Sequence, residues 1–238
     1  MNMDSSEQSE VPDRLFYFQL LRSLDGLMLS MFAMLVFAIY AVADESVIYR
    51  YEFVIIVPIL FFCIFSLSIP PCKTHPTWNK TRAYLKLSTL VVLMTAPFVM
   101  FWINDYKNHY LTMNISIFFI ASAITLFCFA VLLVYLGRLL GITALELEAR
   151  VTCYLVFWIL MIFGGVFSLI GIIAPNLEAM HYIFIIPGLQ NGAGSLLEFI
   201  LFHVRFFFFI PIIFIFSLIF RYRIVISMYL KDKLKEEL

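Results

Sequence analysis

Six long apolar runs divide the chain, and they strongly limit what it can fold into. The runs cover residues 24–43, 53–70, 84–103, 113–136, 151–173 and 196–220. Each can cross a hydrocarbon core of about 30 Å as a helix, which takes about 20 residues. Because lipid offers the backbone no hydrogen-bond partners, spans of this length fold as helices. The sequence therefore predicts an all-α, polytopic integral membrane protein with six transmembrane helices.

Lys and Arg residues are distributed very unevenly about these runs. Thirteen of the 16 lie in the N-terminal tail, the second and fourth connections and the C-terminal tail, or at the span ends beside them. The opposite side carries only Arg50 and Lys107. Because positive charge near span ends is retained in the cytoplasm, both termini are predicted to be cytoplasmic. The expected location is a cell membrane, with the plasma or inner membrane as the first choice.

The composition is that of a membrane domain rather than a soluble one. Of 238 residues, 63% are hydrophobic and 13% are charged, which is outside the usual range of soluble globular proteins. We predict a disordered tail over residues 1–12 and one transmembrane domain over residues 13–238, ending in a short cytoplasmic tail. The expected partners are membrane lipid and either further copies of the chain or a larger membrane complex. Nucleic acid is not an expected partner.

The start of the chain allows two arrangements. The tail is acidic and the first apolar run lacks a small-residue cleavage pattern, so we expect that run to be retained as an anchor. Asp13 can cap a helix that begins at Arg14. This helix either lies in the membrane interface before the first span or is an early start of the span itself. Further along, Asp25 is three residues from Arg22, a spacing that predicts a local ion pair.

Small residues recur along spans four and five. They are Ser116, Ala123, Ala130 and Gly137 in span four, and Gly164, Ser168 and Gly171 in span five. Residues seven apart share one face of a helix, and small side chains there let a second helix approach closely. We therefore predict that these spans pack against each other or against a second subunit. A substrate path along them is the alternative.

The connection between spans four and five has the pattern of a tight turn. Gly141 can end the fourth helix. Thr143 and Glu146 have the spacing of a capping box, in which the Glu146 side chain reaches back to the capping residue. Glu146 is also four residues from Arg150, a favourable spacing for an ion pair. We predict a rigid hairpin whose fifth helix starts near Ala144, with a structural role by default and docking of a partner as the alternative.

Prolines and one outer connection bear on possible movement and access. Pro58, Pro97 and Pro211 lie within spans two, three and six, where each removes a backbone donor and can kink its helix. Before the last span, residues 182–195 combine a short apolar piece with a Gly-rich stretch. This segment either re-enters the membrane under cover of protein or lies as an amphiphilic loop on the membrane surface.

Arg205 is the residue that most strongly suggests a functional site. It lies well inside the last span, where a cation costs about 2.5–3.5 kcal/mol and therefore faces the bundle or water. Glu198 precedes it by two turns on the same helix face. The two residues predict either an outward-facing site for an anion, a lipid headgroup or a proton, or a structural ion pair. His203 is a further candidate, although it lies on nearly the opposite face and is more simply explained as a hydrogen-bonded packing residue.

Cofactor and catalytic motifs are missing from the sequence. No other His lies inside a span to complete a haem or metal site with His203, and no pair of cysteines has metal-ligand spacing. Cys63, Cys128 and Cys153 lie in spans and Cys72 lies on the inner side, so neither a disulfide nor a cofactor is expected. The signatures of serine hydrolases and zinc proteases are also absent.

The sequence thus predicts architecture better than chemistry. The expected function is that of a non-enzymatic membrane subunit or a transport component with a polar site around Arg205. A permease subunit served by a separate ATPase is one alternative, by analogy of layout alone. The other alternative is an intramembrane enzyme that acts on lipid at the outer face, with Glu198 or another outer acid as its base.

Overall fold

Helices account for nearly all of the chain that the structure describes. The structure is a computed structural model, and it describes residues 14–43, 52–72, 75–104, 108–164 and 209–236. Its helices are α1 (Arg14–Ala43), α2 (Glu52–Leu67), α3 (Pro76–Asn104), α4 (His109–Leu139), α5 (Thr143–Val156) and α6 (Phe209–Glu236), and a π-helix (Phe157–Gly164) continues α5. No strand occurs within these ranges. The predicted all-α fold is confirmed for the described residues.

Four segments of these helices are long and apolar enough to cross a membrane. They are Arg14–Val36, Pro76–Val99, His109–Leu139 and Ile210–Asp232, and Val57–Leu67 is a shorter apolar helix. Large apolar side chains such as Leu29, Met94 and Tyr154 are mostly exposed. So much exposed apolar surface is expected where a protein faces lipid instead of water. The described part of the chain is therefore all-helical, and its long apolar helices are those of a membrane protein.

The helices form a ring in the order in which they occur in the chain. Each helix from α1 to α5 packs against the next one, and α6 packs back against α1. In α3 and α4, Ser88 contacts Thr125. Further along α3, Trp102 contacts Thr112, an earlier residue of α4, so these two neighbours run in opposite directions.

The start of α1 and the end of α6 lie side by side. The ring centroids of Tyr17 and Tyr229 are 5.1 Å apart. Asp25, further along α1, pairs with Arg223, an earlier residue of α6, so the two helices are antiparallel. Both ends of the described chain therefore lie at the same end of the ring, which we call the basic end. It comprises the start of α1, the α2–α3 connection, the start of α3, the α4–α5 hairpin and the end of α6. Its cations include Arg22, Arg82, Lys86, Arg138, Arg150, Arg221 and Arg223.

The first helix is continuous, which decides between the two arrangements predicted for the start of the chain. α1 runs without interruption over Arg14–Ala43. Its buried side chains keep a helical spacing through the start of the apolar run, with Tyr17, Leu20, Leu24 and Leu27 all buried. Because one packing face continues across this region, no turn separates an interfacial helix from the span. The segment before residue 24 is an early part of the first long helix.

The last helix also extends beyond its apolar run. The run ends at residue 220, whereas α6 continues to Glu236. Buried side chains again continue past the end of the run, at Tyr222, Ile226 and Leu230. Residues 221–230 therefore belong to a part of the helix whose inner face is still covered by its neighbours.

The α4–α5 turn has the predicted helix end at Gly141 but lacks the predicted capping box at the start of α5. Leu140 caps α4, and Gly141 follows with a φ of 67°, a left-handed conformation that favours glycine. α5 begins at Thr143, with Ile142 as its N-cap and no side-chain cap hydrogen bond. The predicted end of α4 is confirmed and the predicted capping box is wrong. The Glu146 carboxylate is occupied by two arginines instead of by the helix start.

Candidate functional site: the basic end of the helix ring

Some of the residues singled out from the sequence lie within the described part of the chain and others lie outside it. Outside the described residues lie Arg205, Glu198, His203, Ser168 and Gly171, so their proposed roles stay predictions. Gly164 is the last residue of the π-helix. The small residues of α4 are all buried, and they are Ser116, Ala123, Ala130 and Gly137. Of these, Gly137 has contacts that connect it to the basic end.

Gly137 lies where three helices meet. A methyl group added at Gly137 would be 2.7 Å from the hydroxyl oxygen of Tyr222 in α6 and 2.8 Å from the Cα of Glu146 in α5. Non-bonded carbon atoms prefer separations of about 3.5–4.0 Å. Glycine therefore allows α4 to approach both neighbours more closely than alanine would.

Tyr222 is the buried centre of this junction. Its side chain is inaccessible to solvent, and its hydroxyl donates to the Leu133 carbonyl oxygen of α4 at 2.8 Å. The Leu145 carbonyl oxygen of α5 lies 3.3 Å from the same hydroxyl. A buried hydroxyl needs a hydrogen-bond partner, and the carbonyls supply it. Tyr222 thus connects α6 to both helices of the α4–α5 hairpin.

Glu146 joins two arginines across the hairpin. Its Oε1 accepts a hydrogen bond from Arg138 Nε of α4 and another from Arg150 Nη2 of α5, both at 2.6 Å. The predicted pair between Glu146 and Arg150 is confirmed, and Arg138 is an additional partner. The hydrogen bond from Arg138, and then that from Arg150, lowers the pKa of the Glu146 carboxyl below its ordinary value. The carboxylate is therefore ionised and already occupied at neutral pH.

Two further ion pairs connect α6 to its neighbours. Arg221 Nη1 contacts the Glu148 carboxylate of α5, and Arg223 Nε contacts Asp25 Oδ1 of α1 at 2.5 Å. The sequence predicts that Asp25 pairs with Arg22, and this is wrong, because the packing of α1 on α6 offers the carboxylate a different arginine. All four paired side chains are well exposed, so each pair is worth roughly 0.2–1 kcal/mol. They join α6 to α5 and to α1.

Side chains of α3 hold the α2–α3 connection in place. Asn79 Nδ2 donates to the Cys72 carbonyl oxygen at 2.6 Å, and the Cys72 backbone N–H donates to Asn79 Oδ1 at 3.1 Å. The Trp78 indole N–H donates to the Pro70 carbonyl oxygen at 3.0 Å. Because Trp78 and Cys72 are both buried, the described part of the connection, residues 68–72, is packed against the start of α3.

An aromatic cluster lies beside this connection. Phe16 packs edge-on against Tyr17 and Trp78, with ring centroids 5.4 Å and 5.7 Å apart. Tyr17 in turn packs against Tyr229 of α6. Edge-to-face contacts of this kind add to the stabilisation from burial alone. The cluster therefore joins α1, α3 and α6 at the basic end.

Sequence reasoning did not identify the residues that organise this end. Trp78 and Asn79 follow a Pro-Pro pair close to the start of a span, where aromatic residues often mark a membrane interface. That signal points to the connection but not to its hydrogen bonds. Tyr222 lies in an arginine-rich segment after the apolar run, and no local pattern distinguishes it from the other tyrosines.

In the described part of the chain, the basic end offers ion pairs rather than a metal or redox centre. No three His, Cys, Asp or Glu side chains there are grouped so that they could hold a metal ion. Cys63, Cys72, Cys128 and Cys153 form no disulfide. The carboxylates that face neighbouring helices, on Asp25, Glu146 and Glu148, are all engaged by arginine. No known protein family, curated protein or solved structure matches the chain.

Proposed function

We propose that the protein is a non-enzymatic, six-span membrane subunit with both termini in the cytoplasm. Support for this topology comes from the excess of Lys and Arg on one side of the six apolar runs. It also comes from the antiparallel packing of α1 on α6, in which Tyr17 contacts Tyr229. In this proposal the basic end faces the cytoplasm and serves as the rigid surface to which other subunits bind.

The engagement of carboxylates by arginines is the observation that carries the proposal. A general base must be able to reach its substrate with a carboxylate or imidazole that can accept a proton. Asp25, Glu146 and Glu148 each accept hydrogen bonds from arginine, so these carboxylates are engaged in ion pairs between helices or along one helix. These polar groups join helices to one another, and that use suits a scaffold better than a catalyst.

Transport and lipid chemistry both depend on residues outside the described ranges. A transport component, including a permease with a separate ATPase, needs a polar site around Arg205. An enzyme acting on lipid at the outer face needs Glu198 or another outer acid as its base. No contact among the described residues favours either role, so the scaffold role is the one we put forward.

Two measurements on the full chain test the proposal. Extraction together with native lipid, followed by mass determination, should give a complex heavier than a single chain. The purified chain should leave a mixed phospholipid extract unchanged. A chain that is monomeric under native extraction would contradict the subunit role. Repeated turnover of lipid, abolished by Glu198→Gln and retained in Glu178→Gln, would contradict the non-enzymatic role.

A further inference from the structure

The start of α3 carries positive charge, and its neighbours α2 and α4 supply no acid to balance it. From residue 53 to residue 145 the only acidic residue is Asp105, which comes after the last residue of α3 in the sequence. The start of α3 nevertheless carries Lys80, Arg82 and Lys86. Among the described residues none of these three has a carboxylate partner, whereas the arginines of α4, α5 and α6 are all paired.

Arg82 and Lys86 lie on one flank of α3, one turn apart. Arg82 Nε donates to the Ile69 carbonyl oxygen at 2.6 Å, which places the guanidinium beside the α2–α3 connection and uses one of its donors. Both cationic residues are half-buried. Like charges at this spacing repel each other. An anion bound between them would therefore remove the repulsion and balance the charge.

These two cations lie at the depth where lipid phosphates are found. Residues 87–103 carry no charge, and a helix of that length covers about 25 Å at 1.5 Å per residue. This length is close to the hydrocarbon thickness of a bilayer, about 30 Å. Lys86 therefore lies at the edge of the hydrocarbon, and Arg82 lies about 6 Å further toward the basic end.

The same row of α3 continues from positive charge to exposed apolar surface. Its members follow at four-residue intervals and are Arg82, Lys86, Leu90 and Met94. Residues at this spacing lie one above the other on a helix. Leu90 is 47% exposed and Met94 is 75% exposed. The row thus offers charge for a phosphate and, directly beside it, an apolar strip for an acyl chain.

We propose that Arg82 and Lys86 bind the phosphate of an anionic glycerophospholipid whose acyl chain lies along Leu90 and Met94. The guanidinium supplies directed N–H donors to phosphate oxygens, and the ammonium supplies a compact charge. Inorganic phosphate has the same chemistry for the two cations, but it gains nothing from Leu90 and Met94. The apolar part of the row therefore favours a lipid as the source of the phosphate.

Native mass spectrometry of the full chain, titrated with phosphatidylglycerol or phosphatidylcholine, tests the site. Lys86→Gln removes one charge and leaves the contact between Arg82 and Ile69 in place. It should weaken phosphatidylglycerol binding about fivefold, the contribution expected of one cation near an anionic surface. Lys86→Arg keeps the charge and should bind as wild type. Lys80→Gln removes the same charge from another face of α3, about 9 Å from Lys86 along the helix axis. Because salt screens charges at such a separation, it should change binding by less than about twofold.

A second set of measurements separates lipid from free phosphate. Met94→Ser should weaken phosphatidylglycerol binding and leave the binding of inorganic phosphate unchanged. Equal losses in Lys80→Gln and Lys86→Gln would overturn the assignment to this row of α3. Equal affinity for phosphatidylcholine would overturn recognition of an anionic lipid. Displacement of bound phosphatidylglycerol by an equal concentration of inorganic phosphate would indicate a free-anion site and would overturn the lipid assignment.

Discussion

Gly137 and Tyr222 share one space, because a methyl group on Gly137 would lie 2.7 Å from the Tyr222 hydroxyl oxygen. The absence of that methyl group lets α4 come close enough to α6 for the hydroxyl to donate to the Leu133 carbonyl oxygen. Gly137 and Tyr222 are therefore complementary in size. The effect of a substitution at one position should depend on which residue occupies the other.

Gly137→Ala should lower the free energy of unfolding by about 1–3 kcal/mol, because its methyl group overpacks the junction. Tyr222→Phe should recover part of this loss by removing the hydroxyl oxygen, although the backbone of Glu146 remains in the way. Gly141→Ala is the matched control, since it has open space around it and a φ of 67°. It should cost about 1–2 kcal/mol through backbone strain alone. Thermal unfolding in detergent measures the three single variants and the two double variants, and recovery of Gly141→Ala by Tyr222→Phe would argue against a shared space.

Two buried threonines should differ in their response to the same substitution. Thr89 Oγ1 has no hydrogen-bond partner among the described residues. Thr125 Oγ1 lies 2.9 Å from Ser88 Oγ and 2.8 Å from the Ala121 carbonyl oxygen. Thr89→Val should be neutral or stabilising, and Thr125→Val should destabilise by about 1 kcal/mol. Chemical unfolding in micelles measures both. If Thr125→Val were as harmless as Thr89→Val, the contact between α3 and α4 at Ser88 would contribute nothing.

Acid should weaken the α4–α5 hairpin through Glu146. The hydrogen bond from Arg138, and then that from Arg150, holds the pKa of this carboxyl below its ordinary 4.5. A carboxyl with a lowered pKa contributes stability that is complete above the unfolded-state value and is lost as pH falls through the folded-state value. The thermal stability of the wild type should therefore fall as the pH drops below the ordinary carboxyl range. The stability of Glu146→Gln should fall less over the same pH interval. Asp232→Asn, outside the ion-paired cluster, serves as the control and should follow the wild type.

Single cysteines in a Cys-free background should report the proposed topology. Reporters near Lys107 and Glu178 should react with an impermeant thiol reagent from outside, and reporters at Lys80 and Lys233 only after the membrane is opened. The positive charge near Lys80 would otherwise lie on the side from which such charge is normally excluded. External labelling at Lys80 would reject the six-span arrangement with cytoplasmic termini.

Substitutions at Arg205 should separate a structural ion pair from a binding site. If Arg205 is a structural partner, Arg205→Ala should reduce the folded yield, and Glu198→Ala should add little to that loss because the two residues share one interaction. If Arg205 binds an anion, the yield should survive while ligand binding falls. Arg205→Lys should then restore binding only in part, because an ammonium cannot copy the two-pronged contact of guanidinium. Wild-type yield and binding in Arg205→Ala would reject both hypotheses.

Much of the fold follows from local sequence, and the organisation of the candidate site follows only in part. The length of the apolar runs predicts the helices, and Gly141 predicts the end of α4. The four-residue spacing predicts the pair between Glu146 and Arg150. The capping box fails because Arg138, across the hairpin, competes for the same carboxylate. The π-helix after α5 has no counterpart in the sequence analysis, because the apolar run there suits any helix.

The sequence by itself determined the apolar helices, the placement of cations at their ends and the lack of acids around α3. These properties depend on composition and on spacings within one or two turns. Only the tertiary structure decided that Asp25 pairs with Arg223 instead of Arg22, and that Tyr222 reaches Leu133. Those partners are 198 and 89 residues apart. The reason is geometric. The helical repeat determines which residues of one helix lie next to each other. A contact between two helices depends instead on how they rotate and slide against each other, which no local pattern specifies.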